Sequence, residues 1–238
     1  MKSYLKLLES NFKELFRDRV EIIWTIVFPL VVLFVFGFVS GSDGFSGKIS
    51  IVVAITIMQL NINAGVRLLS LKDTGALKTL GATPLRRSTF LASEATYRML
   101  ITLVQCIVLM IAGMISFGVT VEGNPLVLAS SVVLGSFVFF TVGYALTAIL
   151  PSAPVAGNVF MLLTFLFIIF SGLFFPLASL PDWLSSVLEY LPLNQNEVAM
   201  RTTILGGPLF DDTMIKALVS QLAYLGIFGF LATRFKWS

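Results

Sequence analysis

Six long apolar stretches dominate the chain: Ile22–Val39, Ile49–Leu69, Met99–Val119, Leu126–Leu150, Val155–Phe175 and Met214–Ala232. Each approaches the roughly 20 residues that cross a hydrocarbon core of about 30 Å as a helix. Backbone groups in lipid must be satisfied within the segment, so such runs predict helices. They do not alternate, which argues against barrel strands. Ahead of the first run, residues 3–20 place Leu5, Leu8, Phe12, Leu15 and Phe16 at helical spacing, with Lys6, Lys13 and Arg17 on another face. That pattern predicts a helix lying in the membrane interface, residues 1–21 in all. A signal peptide fits poorly, because Glu9, Glu14, Asp18 and Glu21 precede a run longer than a usual signal core. Pro29 predicts a kink in the first span.

Two segments break the apolar pattern. Residues 67–98 read RLLSLKDTGALKTLGATPLRRSTFLASEATYR, with six basic and two acidic positions. They predict a short helix over Lys72–Leu80 ended by Gly81, a break at Ala82-Thr83-Pro84, and a helix capped by Ser88 running into the third span. Residues 176–213 form the second exception. Pro181 and Pro192 bracket an amphipathic stretch too short to span, with Trp183 and Tyr190 placed for the headgroup level. Asn196–Leu205 continues this outer re-entrant or interfacial pair, and Gly206-Gly207-Pro208 ends it. No repeat or linker divides residues 1–238, so the pattern predicts one all-α integral membrane domain with six spans.

Composition agrees: 57% of residues are hydrophobic and 12% charged, against about 25% charged in a soluble domain. Mean hydropathy is +0.94. Thirteen of the 16 Lys and Arg residues fall before the first span, in the 67–98 segment or after the sixth; Lys48, Arg201 and Lys216 fall elsewhere. This bias predicts cytoplasmic N- and C-termini in a multi-pass protein of the cell (plasma or inner) membrane. The net charge of +3 therefore reflects topology and anionic lipid, not nucleic acid.

Candidate chemistry is sparse. The chain has no histidine and one cysteine, Cys106, which excludes histidine-based nucleophilic catalysis, a cysteine zinc cluster and an internal disulfide. The loop GSDGFSGK (Gly41–Lys48) approaches a phosphate-binding loop. However, five residues, not four, separate Gly41 from Gly47, and Ile49 follows Lys48. No ATP site, metal or cofactor is expected on this chain, nor an enzymatic activity of its own. Gln59, Asn63 and Arg67 recur every four residues on one face of the second span. Polar groups at that depth bond a neighbouring helix or line a transport path, and Gln105 and Asn158 carry the same two readings. Small residues spaced by four (Ser131/Gly135, Gly143/Thr147, Ala153/Gly157) suit close helix packing.

Two stretches resemble the permease subunit of ABC type-2 transporters: LKTLGATPLRRSTFLASE (Leu77–Glu94) and FSGLFFPLASLPDWLSSVLEYLPLNQNEVAMR (Phe170–Arg201). Glu94 departs from the family pattern, where basic or small residues are frequent, and no large outer domain separates spans one and two. The resemblance implies that the arm, about Leu71–Leu80, is a coupling helix docking on a separate ABC ATP-binding subunit, which carries ATP and magnesium. Leu77 and Leu80 would anchor it; Lys72, Asp73, Lys78, Arg86 and Arg87 would orient it. The N-terminal helix would be the connecting helix. A second permease, identical or a sister chain, would complete the path, with Phe174, Phe175 and Pro176 near its outer end. Small members with short outer loops resemble exporters of drugs, antibiotics, lipids or peptides. The competing class, an ATP-independent secondary transporter or channel, wants charge at span centres, where this sequence carries none.

Overall fold

The computed structural model describes residues 2–40, 45–81, 86–171, 180–208 and 210–234, and the regular elements among them are helices. Helix α1 (Lys2–Arg17) is amphipathic. Asp18 ends it by capping the next helix: its Oδ1 accepts from the backbone N–H of Val20 at 2.9 Å and of Glu21 at 3.2 Å. The first span, α2 (Arg19–Ser40), therefore starts as a separate helix. Near the expected kink the span contains a π-helical turn, Ile23–Val27, in which the Phe28 N–H reaches back to the Ile23 carbonyl. The widened turn sits directly before Pro29, whose ring would clash with a regular preceding turn.

The second span, α3 (Ile49–Asp73), is the centre of the molecule. It breaks briefly at Asn63, between Ile49–Ile62 and Ala64–Asp73. Its first half is buried on all sides, so its unbroken apolar run marks a core helix instead of a lipid-facing one. It packs on α5 (Arg87–Phe117), α6 (Pro125–Leu146), α7 (Ala153–Ile169) and α9 (Pro192–Ile204). Two glycines allow the closest approach: a Cβ on Gly143 of α6 would collide with the Ile62 carbonyl, and one on Gly65 with the Gly143 carbonyl. The last span, α10 (Asp212–Ala232), packs on α6 and α9.

Five helices are long and apolar enough to cross a membrane: α2, α3, α5, α6 and α10. The expected fifth span is represented by α7, apolar but 17 residues long; Phe170 and Ser171 turn after it, and residues 172–175 lie outside the described residues.

The arm differs from the expected single helix over Lys72–Leu80. The second span continues to Asp73, and Thr74-Gly75 turns the chain into α4 (Ala76–Gly81). Gly75 takes φ +75°, which only glycine adopts without strain, so the helix cannot run through. Arg86, not Ser88, occupies the N-cap of α5. Residues 87–98 belong to that packed helix, and Glu94, Tyr97 and Arg98 are buried in it.

The outer segment contains α8 (Asp182–Glu189) and α9. Trp183 and Tyr190 are exposed, whereas α9, despite its sequence PLNQNEVAMRTTI, is almost wholly buried.

Candidate functional site

Peripheral helices α2 and α7 leave a groove against α3. Its apolar half, about 420 Å³, is walled by Phe28 of α2 and by Met161, Phe165 and Ile168 of α7. A polar half of about 480 Å³ continues it toward the basic end, past Glu14, Glu21, Arg67 and Arg98. Trp24, Gln59, Asn63 and Gly157 line both halves. The Gln59, Asn63 and Arg67 stripe thus faces an open groove. Asn63 is exposed, its amide donating to the Gln59 carbonyl at 2.8 Å. Gly157, read as a packing residue, meets nothing within 4 Å of a built Cβ; its small size opens the groove.

A charge cluster clamps α1 to the polar end. Arg67 donates to Glu14 at 2.5 Å and to the Asn11 side-chain oxygen at 3.1 Å. Glu94 accepts from Arg98 at 2.9 Å and from Asn11 at 3.3 Å, and lies 3.7 Å from Arg67. Arg98 also donates to the Leu60 carbonyl at 2.6 Å. The Glu94 side chain is 2% exposed, and burial of this kind is tolerated where charges are paired and hydrogen-bonded. Phe12 meets Tyr97 edge-on at 5.1 Å beside it. The Glu94 departure from the family pattern has this physical reason: it holds two arginines and the N-terminal helix together.

The arm touches the groove wall through Asp73. Its Oδ2 accepts the Ala153 N–H, 2.8 Å away, at the start of α7. Ser152 makes no side-chain cap there, so Asp73 satisfies a first-turn N–H from across the fold. Leu77 turns inward, 5% exposed, into a core with Leu69, Phe90 and Tyr144. Arg86 and Arg87 are exposed and Lys72 is half-buried. The Lys78 and Leu80 side chains, and Phe174, Phe175 and Pro176, lie outside the described residues.

Gln105 is buried away from the groove; its amide donates to the Ile26 carbonyl, 3.4 Å away, inside the π-helical turn. Asn158 is exposed and is not part of the groove wall. Sequence reasoning missed Glu21, Trp24, Gly157 and Thr164 as groove residues. A signal existed for Glu21 and Trp24, an acid and an aromatic one turn apart at the mouth of an apolar span.

At the opposite end, α9 carries buried Asn194, Gln195, Asn196 and Glu197. Glu197 lies 2.8 Å from Ser50 Oγ and 3.1 Å from Arg201 Nε. Burial pushes its carboxyl above the usual range, against the opposing pull of Arg201 and Ser50. Among the described residues no group of His, Cys, Asp and Glu could hold a metal.

A bundle with five helices long and apolar enough to cross a membrane, and a groove open along its side, defines an integral membrane domain. The chain belongs to the ABC-2 type transporter family, whose model matches residues 3–205. It is thus a membrane permease of an ABC transporter, the non-catalytic spanning subunit, and the family implies an ABC ATP-binding partner. No curated protein matches the chain significantly.

Proposed function

We propose that this chain is the permease of an ATP-driven exporter of amphipathic or hydrophobic cargo in the cell membrane, both termini cytoplasmic, paired with a second permease. The observation that carries the reading is the Asp73–Ala153 hydrogen bond. It fastens the arm to the helix that walls the groove, so a push on the arm is delivered to α7. The ATP-binding subunit, holding ATP and magnesium, docks on the exposed side of the arm, near Arg86 and Arg87. Leu77 supports the arm from inside. ATP-driven closure then biases a rocking of α7 and α2 that opens the groove to the other side.

Co-purification from the native membrane in mild detergent tests this. The expected result is a P-loop ATPase at one copy per permease, lost in the Arg86→Glu, Arg87→Glu double variant. An intact-complex mass reports whether the second permease is identical. A chain that purifies alone and transports in liposomes without ATP overturns the reading.

A further inference from the structure

The polar half of the groove is lined by two carboxylates, Glu14 and Glu21, and two guanidiniums, Arg67 and Arg98, with the buried Glu94 behind the arginines. Both guanidiniums are engaged: Arg67 by Glu14, Asn11 and Glu94, Arg98 by Glu94 and the Leu60 carbonyl. Three carboxylates stand against these two cations. Glu21 is the one left over; it lines the polar half, is half-buried, and makes no side-chain hydrogen bond or ion pair among the described residues. One turn further, Trp24 is 53% exposed and belongs to both halves of the groove. Beyond it the wall is Phe28, Met161, Phe165 and Ile168, with Thr164 as its neutral polar spot.

We infer that the groove takes a cationic amphiphile, with an amine or quaternary ammonium head at Glu21 and an alkyl or aromatic body along Trp24, Phe28 and Phe165. This rests on reading the groove as the cargo site. The head gains a carboxylate that lies near Arg67 and Arg98 but makes no hydrogen bond or ion pair among the described residues, and an exposed indole beside it, both of which favour ammonium. The body replaces lipid on an apolar wall. An anionic head would meet Glu21 and Glu14, and could reach the arginines only by displacing their present partners, leaving buried charge unpaired. An uncharged head would leave Glu21 unmatched in a groove its own body has closed to water.

The test uses the full chain in phosphatidylcholine nanodiscs and three dodecyl photoprobes that differ only in head: trimethylammonium, sulfate and maltoside. Labelled peptides are mapped by mass spectrometry. The trimethylammonium probe should label α2 around Trp24 and α7 around Met161–Phe165, half-saturating at about tenfold lower concentration than the sulfate probe, the scale of one charge-assisted contact. Glu21→Gln should bring the two charged probes to parity, and Glu21→Asp should restore the preference. Unchanged maltoside labelling in all three proteins reports an intact groove. A sulfate preference, or an ammonium preference that survives Glu21→Gln, overturns the cationic inference and leaves the groove as a binding site. If no probe labels α2 or α7, and Trp24→Cys forms a disulfide with its counterpart in a second copy, the groove is a contact between copies. The inference and the cargo-site reading then fall together.

Discussion

Arg67 and Glu14 are 53 residues apart in sequence and 2.5 Å apart in the fold. One belongs to the second span and the other to the amphipathic helix α1, so this pair and the buried Glu94 behind it hold α1 against the bundle. The two carboxylates are not equivalent. Glu14 is 58% exposed, whereas the Glu94 side chain is 2% exposed. Glu94→Ala leaves the largely buried Arg98 without a carboxylate and takes one of the two carboxylates from Arg67, and should cost about 3–5 kcal/mol. Glu14→Ala should cost about 0.2–1 kcal/mol, as an exposed pair does. Thermal unfolding in detergent ranks them, and limited proteolysis of α1 reports release of the helix. Equal costs would show that Glu94 is not the centre of the clamp.

Asp73 tests mechanical coupling separately from folding. Losing its contact with the Ala153 N–H should cost about 1 kcal/mol, the scale of a helix cap. Asp73→Ala should therefore leave a folded permease that binds its ATPase. Its transport per ATP hydrolysed should fall, because the arm no longer holds α7, and Asp73→Asn, which can still accept the hydrogen bond, should retain more. Proteoliposomes measuring both rates decide this. An unchanged ratio in Asp73→Ala would remove the Asp73–Ala153 link from the coupling route.

The five helices long and apolar enough to cross a membrane, the amphipathic character of α1 and the polar stripe on the second span were legible because each is a pattern within one segment. What was not legible depends on contacts between segments. The family resemblance implies that Leu77 anchors the arm on a partner, yet after the turn at Gly75 it lies in the core. Residues 87–98 read as the helix leading into the third span, but nothing in that segment shows that Glu94 finds Arg67 and Asn11 from two other helices. The polar helix α9 reads as part of an outer re-entrant or interfacial pair, and only its position among α3, α6 and α10 shows why it is buried. Gly143 and Gly157 carry the same spacing signal, and the fold alone separates their roles.

These two glycines predict opposite responses to one methyl group. Gly143→Ala drives Cβ into the Ile62 carbonyl, and backbone cannot move aside as a side chain can. A loss of about 1–3 kcal/mol is expected, as for overpacking a tight core. Gly157→Ala meets nothing within 4 Å and should gain a few tenths of a kcal/mol to about 1 kcal/mol from helix propensity. Melting temperatures of both variants in the same detergent check the contrast. Two similar shifts would mean that α6 and α3 are not in backbone contact.

Glu197 gives a pH dependence with a definite sign. Its carboxyl lies above the ordinary value of 4.5 because burial disfavours the charged form, more than Arg201 and Ser50 favour it. The Ser50 hydroxyl also lies 3.0 Å from the Gly47 carbonyl. With its one proton given to that carbonyl, Ser50 can accept from a protonated Glu197 at 2.8 Å. Between the ordinary and the raised value the folded chain binds more protons at Glu197 than the unfolded chain, so stability falls as pH rises. The contribution is complete below about 4.5 and is lost as pH climbs through the raised folded value. Glu197→Gln keeps the shape and cannot titrate. The difference in melting temperature between the natural chain and this variant cancels most effects of the other carboxylates. It should drift in favour of the variant from pH 4.5 toward neutrality. A flat difference, or a drift in favour of the natural chain, would show that Glu197 stays ionised and that the Arg201 pair, not burial, governs it.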